Sequence, residues 1–326
     1  MKRIDGASVI EIRIAEGSDE DGIRSLFKTC FGKELSRKEW TWKYKDSPWG
    51  SAATIALDGD TVVAHYGGLK TKFCSPSRQY EVYQPCDVMT HPAYRARFFT
   101  KRGAMVKAGE LFYRANFMDF AFGFPSERHA VLGTKQLGYT EHGFVTVLTK
   151  EISGSRNPLI GRPLLRVDTG WSVLDESDID ILWEKVKDNF SLAMEKNGRY
   201  IFWRYRNHPS KQYEPIVVRG RFTKGLKALA IFSIRENELL VMDFFGTAGK
   251  DREFLCELIE AIALKRSVSV VKVWVNQKEQ AFKELNRRGY SAEPGIPYIF
   301  KIIDSEINPS FLFSNYCYRQ GDYDAA

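Results

Sequence analysis

One short motif occurs twice in this chain of 326 residues. Its first copy reads Trp-Lys-Tyr-Lys-Asp-Ser-Pro at residues 42–48, and its second reads Trp-Arg-Tyr-Arg-Asn-His-Pro at residues 203–209. Another pair, Leu-Gly-Tyr-Thr at 137–140 and Arg-Gly-Tyr-Ser at 288–291, follows in the same order and at a similar spacing. Motifs repeated in the same order indicate a tandem duplication. The chain is therefore expected to fold as two similar halves.

The length and the turn-forming residues divide the chain in the same way. At about 150 residues per domain, 326 residues favour two domains over one. A stretch rich in Gly, Pro and Ser, residues 153–163, separates the halves as a linker does. We predict an N-terminal domain at 1–150, a linker at 151–170, a second domain at 171–303 and a C-terminal tail at 304–326.

Local patterns predict an α+β fold. Ile10, Ile12 and Ile14 alternate with polar residues as in a half-buried strand, and Ser36 with Glu39 forms a capping box that opens a helix. After a hairpin and a strand over 80–90, we predict a helix at 98–115, a strand at 117–122, a helix at 127–137 and a closing strand at 144–149. A strand–helix–strand crossover requires parallel neighbours. Each lobe is therefore expected to hold a mixed, mostly antiparallel sheet flanked by helices.

Composition narrows the class of protein. Apolar residues make up 44% and charged residues 27%, which is typical of globular domains and excludes a disordered chain. No apolar run approaches the roughly 18 residues of a membrane span, and no apolar segment follows the basic N-terminus as in a signal peptide. The five cysteines are scattered and the histidines isolated. We therefore expect a cytoplasmic protein with reduced thiols, no membrane insertion and no metal site.

Positive charge is concentrated where a strand runs into a helix. Arg95, Arg97, Lys101, Arg102 and Lys107 lie there, and no acidic residue occurs between 95 and 109. Free backbone N–H groups and the positive end of the helix dipole favour a phosphate or pyrophosphate at such a place. The alternative is an ordinary solvated basic helix face. The net charge of +7 forms no single lysine-rich block, so nucleic acid is not expected as a partner.

The same region carries a family resemblance. A strand ending in Val-Met-Thr-His-Pro-Ala-Tyr-Arg (88–95), a helix, a strand ending in Gly-Phe-Pro (123–125) and a helix ending in Leu-Gly-Tyr (137–139) resemble the GNAT acyltransferase superfamily. The chain is most similar to tandem, two-lobed members whose first lobe carries W-K-Y-x-x-x-P. The similarity spans about 8–150 as one lobe and 171–303 as a second, degenerate lobe.

The resemblance implies acetyl-CoA as the acyl donor and assigns residues to it. The strand backbone would pair with pantetheine, and the loop after it would hold the pyrophosphate. The implied cofactor-binding residues are Val88, Met89, Thr90, Arg95, Ala96, Arg97, Phe98, Phe99 and Thr100. Phe98 replaces the first glycine of the family's loop, where it would either fill the phosphate site or pack beneath a remodelled loop. Thr134 stands where the family carries a helix tyrosine.

Asp87 is the candidate general base, because it lies on the strand expected to reach the cleft and could take a proton from an attacking amine. The alternative is a carboxylate paired with a nearby arginine. Trp40, Trp42 and Tyr44 are either an aromatic wall for the acceptor or core residues.

The favoured function is acetyl transfer to a primary amine of a small molecule, such as an amino sugar or a nucleotide-linked amine. A catalytically inactive GNAT-like scaffold and a Fem-type aminoacyl or peptidyl transferase stay open as alternatives.

Overall fold

The computed structural model describes residues 10–95, 103–140, 143–153, 164–223, 225–247 and 249–324. The chain divides into two compact units. Unit 1 comprises Met1–Thr71, Tyr80–His142 and Ile299–Ile307, and unit 2 comprises Lys72–Gln79, Gly143–Tyr298 and Asn308–Ala326. Each unit thus includes a segment from a distant part of the sequence. The continuous domain ranges inferred from the repeat stay a prediction.

Unit 1 follows the predicted order of elements. Its strands lie wholly or mainly at β1 (Glu11–Ile14), β2 (Ser51–Asp58), β3 (Thr61–Ser75), β4 (Arg78–Thr90) and β5 (Phe120–Gly123). Its helices are α1 (Glu20–Phe31), α2 (Arg37–Trp40), α3 (Ala104–Ala115) and α4 (Glu127–Leu137). A π-helical turn, Thr41–Lys45, continues α2. The capping box of Ser36 and Glu39 is confirmed, and so are both ends of α4.

The sheet of unit 1 has the order β1-β2-β3-β4-β5. β1 pairs with β2 and β2 with β3 in antiparallel fashion, whereas β4 and β5 are parallel, as the crossover through α3 requires. Residues 299–302 pair with β5 in antiparallel fashion. The core lies between the sheet and α3, where the ring of Phe112 reaches Gly68; a Cβ on that glycine would lie 2.5 Å from Phe112 Cζ. The predicted α+β class is confirmed.

Unit 2 repeats this plan. Its strands are β6 (Gly143–Glu151), β7 (Leu165–Thr169), β8 (Ala193–Met194), β9 (Glu214–Gly220), β10 (Leu226–Arg235), β11 (Glu238–Gly246), β12 (Val270–Trp274) and most of β13 (Ser291–Ile302). Its helices are α5 (Glu176–Val186), α6 (Gly198–Ile201), α7 (Gly249–Lys265), α8 (Gln280–Arg287) and α9 (Pro309–Asn315). α6 continues into a second π-helical turn, Phe202–Arg206.

The sheet of unit 2 runs from residues 291–298 through β6, β12, β11, β10 and β9 to β7, and only β11 and β12 pair in parallel. β11, α7 and β12 therefore correspond to β4, α3 and β5 of unit 1. In both units the parallel pair is followed by a helix, α8 here and α4 there.

Three sequence-based expectations need correction or restriction. Within the predicted linker, Leu165–Thr169 form a strand that pairs with β9. The strand expected to close the first lobe, β6, pairs with β12 and with β13 in unit 2, and residues 299–302 take the place beside β5. Of the helix predicted at 98–115, Ala104–Ala115 is confirmed, and 98–102 lie outside the described residues. Among the described helices, none is long and apolar enough to cross a lipid bilayer.

Candidate active site

The parallel strands β4 and β5 separate early. Their register joins only Val82 with Phe120 and Tyr83 with Ala121, although β4 continues to Thr90. Asp87, further along β4, has a φ of 49°, a left-handed conformation that is uncommon outside glycine. Such a residue interrupts regular strand geometry, and it lies beyond Tyr83, the last residue of β4 that pairs with β5. The space between the carboxyl-terminal parts of β4 and β5 is referred to below as the unit 1 gap.

The carboxylate of Asp87 is held by the π-helical turn that follows α2. Tyr44 Oη donates a hydrogen bond to it at 2.5 Å. Lys43 Nζ lies 3.0 Å from each of its two oxygens. The side chains of Lys43 and Asp87 are only 11% and 12% exposed, so this ion pair is largely shielded from water. The expected ion pair of Asp87 is therefore present, but its partner is Lys43 and not an arginine.

The main chain of Asp87 is held as well. His65 Nδ1 lies 2.8 Å from the carbonyl oxygen of Asp87, and since a carbonyl only accepts, Nδ1 carries the proton. The other ring nitrogen, Nε2, is buried and has no hydrogen-bond partner among the residues that the structure describes. We refer to Lys43, Tyr44, His65 and Asp87 as the unit 1 clamp.

Electrostatics keep this clamp in one charge state. Burial alone would raise the pKa of Asp87, but the Lys43 ammonium and the hydrogen bonds from Tyr44 and Lys43 outweigh it, so the pKa lies below its ordinary value. Burial, with the neighbouring Asp87 charge, raises the pKa of Tyr44 well above its ordinary value. Burial lowers the pKa of His65. At neutral pH the clamp therefore holds an ionised aspartate, a protonated tyrosine and a neutral histidine.

The predicted cofactor strand follows the clamp directly. Val88 is 38% exposed, whereas Met89 and Thr90 are buried. The carbonyl of Thr90 accepts a hydrogen bond from Arg95 Nε at 3.2 Å, so Arg95 lies at the carboxyl end of β4. The remaining predicted cofactor residues, Ala96, Arg97, Phe98, Phe99 and Thr100, lie outside the described residues.

Other sequence candidates have local roles. His91 accepts a hydrogen bond from Ala93 N and so caps a short 3₁₀ turn. Glu127 lies in the first turn of α4, where a carboxylate favours the helix dipole. The hydroxyl of Thr134 lies 3.0 Å from the carbonyl oxygens of Ala130 and Thr140, within the helix end. Trp40 and Trp42 are buried, as core residues are.

Unit 2 has a clamp of the same design. Tyr205, from the second π-helical turn, donates a hydrogen bond to Asp243 on β11. Lys196 pairs with Asp243 at 3.0 Å and also with Asp322. We refer to Lys196, Tyr205, Asp243 and Asp322 as the unit 2 clamp. It too lies where a parallel pair separates, because the register of β11 with β12 ends at Val241 and β11 shifts register against β10 immediately after it.

The corresponding gap in unit 2 is filled by the chain itself. Residues 316–323, referred to here as the strap, contact both sides of it. The carbonyl of Tyr316 accepts from Asn276 just after β12, and the Arg319 guanidinium lies 4.4 Å from the ring centroid of Phe244 on β11. Asp322 accepts from Lys196 and from Tyr316 Oη. Where unit 1 has a gap, unit 2 has a segment of protein.

A cavity of about 190 Å³ remains beside the strap, lined among others by Phe244, Arg252 and Arg319. Both guanidiniums already have carboxylate partners. Arg252 binds Glu284 through two hydrogen bonds of 2.7 Å, and Arg319 binds Glu279 at 2.7 and 2.9 Å. These two guanidinium charges are therefore neutralised within the protein.

Sequence reasoning singled out Asp87 but missed its partners. Lys43 and Tyr44 belong to the repeated W-basic-Y motif, yet the sequence pattern assigns Tyr44 to the core or to an acceptor wall and gives Lys43 no role. His65 stands isolated in the sequence. The repeat itself was the available signal, because the tyrosine of each copy donates to an aspartate on the corresponding strand.

Comparison with known proteins identifies the first half of the chain. Residues 11–141 match the family model described as acetyltransferase (GNAT) domain. No curated protein matches the chain in sequence. Among the described residues no three His, Cys, Asp or Glu side chains gather as a metal site would need.

Solved structures extend the likeness in fold to the whole chain. A conserved protein from Enterococcus faecalis described as a probable N-acyltransferase is 11% identical, with a TM-score of 0.71 over 90% of this chain and 72% of that one. A tandem GNAT protein of the clavulanic acid biosynthesis pathway is 12% identical, with a TM-score of 0.53 over 90% and 97%.

Saccharomyces cerevisiae N-myristoyltransferase with bound myristoyl-CoA is 13% identical, with a TM-score of 0.58 over 94% of this chain and 86% of that one. These likenesses and the family match agree on one assignment. Residues 11–141 carry the match to the acetyltransferase (GNAT) domain, and the chain as a whole shares the fold of tandem GNAT proteins and N-acyltransferases.

Proposed function

We propose that unit 1 transfers an acyl group, acetyl in the first place, from acyl-CoA to a primary amine of a small molecule. The observation that carries this proposal is the unit 1 gap, which lies between diverging parallel strands inside the segment matched by the acetyltransferase family model. A strand edge that leaves its neighbour offers N–H and C=O groups to an extended ligand. The pantetheine arm of CoA is such a ligand, since it contains two amides.

The donor would lie along the end of β4. We propose that the backbone of Val88, Met89 and Thr90 pairs with pantetheine and that Arg95, with residues 96–100, holds the pyrophosphate. Arg95 supports this because it lies at the carboxyl end of β4, just before the segment that leads to α3. A guanidinium forms strong, charge-assisted hydrogen bonds with phosphate oxygens.

The reaction needs a neutral amine beside the thioester. The amine nitrogen forms a bond to the thioester carbonyl carbon, the carbon–sulfur bond breaks, CoA leaves as the thiol, and the amine releases one proton. Asp87 is a weak proton acceptor for this purpose, because Tyr44 and Lys43 already donate to it and its pKa is lowered. We therefore expect positioning and exclusion of water to supply most of the rate.

We also propose a class of acceptor and a location for the protein. The net charge of +7 would attract an acceptor that carries phosphate, which supports a nucleotide-linked amine or an amino sugar on a nucleotide. We propose a cytoplasmic location, where acyl-CoA is available; the five free cysteines fit its reducing conditions.

Calorimetry with acetyl-CoA tests the function. Wild-type protein should bind acetyl-CoA, and Arg95→Ala should weaken binding by about 1–3 kcal/mol through the loss of a phosphate contact. The matched control is a pantetheine analogue without the nucleotide, whose affinity the same substitution should leave unchanged.

Three other results would point elsewhere. Failure of the wild type to bind at millimolar acetyl-CoA would favour the inactive scaffold, and binding of aminoacyl-tRNA instead would favour a Fem-type transferase. Tighter binding of a long-chain acyl-CoA than of acetyl-CoA would keep acyl transfer and remove the acetyl assignment.

A further inference from the structure

A described residue of unit 1 with a left-handed backbone conformation adjoins the proposed donor strand. Asp87 has the φ of 49° noted above, and the three residues after it are the proposed pantetheine contacts. A residue in this conformation persists only when its surroundings hold it there. The direction of the N–H and C=O groups at 88–90 therefore depends on whatever holds Asp87.

The unit 1 clamp holds Asp87 from both ends. Tyr44 and Lys43 fix the carboxylate at 2.5 and 3.0 Å, and His65 fixes the carbonyl at 2.8 Å. These groups come from the π-helical turn after α2 and from β3, so two separate elements converge on one residue. β3 lies beside β4 on the side away from β5. Through His65 the clamp thus holds β4 from the side opposite the gap.

In unit 2 a tyrosine–aspartate hydrogen bond again occurs where two parallel strands, β11 and β12, separate. Tyr205 and Asp243 repeat the hydrogen bond of Tyr44 and Asp87 at the point where β11 leaves β12. There the gap is filled by the strap, so no substrate proton is available to Asp243. A tyrosine–aspartate pair that occurs in both units, one of which fills its gap with the strap, is better explained by strand geometry than by proton transfer.

From these contacts we infer that Tyr44, Lys43 and His65 are positioning residues that act through Asp87: they fix the end of β4 so that its backbone presents the acyl-CoA thioester to the amine. This inference rests on the proposed function. It replaces the role of general base for Asp87 with that of the residue through which the clamp sets the strand.

Removal of one hydroxyl gives the first test. Tyr44→Phe should weaken acetyl-CoA binding by about tenfold and lower kcat by about 100-fold, because a displaced thioester reacts slowly. It should leave unchanged the affinity for adenosine 3′-phosphate 5′-diphosphate, the nucleotide part of CoA, which does not reach the strand. The matched control, Tyr205→Phe in unit 2, removes the same hydrogen bond and should change neither binding nor kcat.

The second test separates positioning from base catalysis. Asp87→Asn keeps an oxygen that accepts from Tyr44 and Lys43, so it should retain at least about a tenth of wild-type kcat, whereas Asp87→Ala should lose about 100-fold. The kcat of Asp87→Asn should also keep the pH dependence of the wild type, which a lost general base would remove.

The outcomes distinguish the inference from the proposed function. Wild-type protein that binds neither acetyl-CoA nor the nucleotide would refute the proposed function. Wild-type binding with Tyr44→Phe unaffected, or with equal losses for both ligands, would overturn the inference alone. An Asp87→Asn variant that is as inactive as Asp87→Ala would also overturn the inference.

Discussion

The two clamps share a tyrosine–aspartate hydrogen bond and differ in how charge is balanced around it. In unit 1 one lysine faces one carboxylate, and both side chains keep slight contact with solvent. In unit 2 one lysine faces two carboxylates, Asp243 and Asp322, whose side chains are 1% and 0% exposed. The additional carboxylate is part of the strap, so the segment that fills the gap also completes the clamp.

This difference shows how a duplicated architecture can take two roles. A strand that diverges from its parallel neighbour leaves polar backbone groups to be satisfied. Unit 1 leaves a gap that we assign to an acyl-CoA, and unit 2 fills its gap with protein through contacts of Tyr316, Arg319 and Asp322. The degenerate character of the second half in sequence therefore has a structural counterpart.

Removal of the lysines should give the largest effect. Lys196→Met leaves two buried carboxylates side by side without their cation, and the free energy of unfolding should fall by about 3–5 kcal/mol. Lys43→Met leaves one carboxylate that still accepts from Tyr44, and the loss should be about 1–3 kcal/mol. Urea unfolding of both variants gives the comparison. Equal losses would contradict the view that unit 2 depends more on its clamp.

The contributions of Asp87 and Asp243 to the free energy of unfolding should change with pH in opposite directions. The folded pKa of Asp87 lies below the ordinary value, so its stabilising effect is present above about pH 4 and is lost as pH falls through the folded pKa. Burial, with the Asp322 charge, raises the pKa of Asp243 despite Lys196, so the folded state retains that proton longer and stability falls as pH rises above about 4.

Urea unfolding of the wild type, Asp87→Asn and Asp243→Asn measures how the free energy of unfolding changes with pH in each protein. The measurements should run from roughly pH 3 to pH 6, around the ordinary aspartate pKa. As pH rises, the free energy of unfolding of the wild type should increase relative to that of Asp87→Asn. Relative to that of Asp243→Asn it should decrease. Slopes of the same sign would mean that the two clamps share one electrostatic design.

The smallest effect should come from the caps that precede the two π-helical turns. Ser36 accepts from Glu39 N at 3.2 Å, and Asn197 accepts from Tyr200 N at 2.9 Å. Each caps the short helix that leads into a clamp tyrosine, so Ser36→Ala and Asn197→Ala should each lower the free energy of unfolding by about 1 kcal/mol. Thermal unfolding checks this, and a strongly unequal pair of losses would break the equivalence of the two turns.

Local signals in the sequence predicted local structure well. The capping box at Ser36 and the two ends of α4 depend on residues a few positions apart, and all of them are confirmed. The predicted order of strand, helix and strand also located the parallel crossover in the first half. These features are fixed by backbone and side-chain preferences within a short stretch.

Partners distant in sequence could not be predicted in this way. Alternation shows that residues 144–149 form a strand, but not that this strand pairs with β12 instead of β5. The pattern around Asp87 shows a strand residue, but its lysine and tyrosine lie 44 and 43 positions earlier. Long-range pairing depends on the packing of whole elements, which no short window contains.

Because residues 299–307 belong to unit 1, this unit is affected by the order of synthesis and by truncation of the chain. During synthesis the last strand of unit 1, residues 299–302, emerges only after residues 143–298. One edge of β5 therefore lacks this partner while unit 2 is synthesised. An open strand edge readily pairs with other chains. The segment that carries the family match, 11–141, consequently lacks the strand that pairs with β5, and a fragment cut at its border should expose β5 to aggregation.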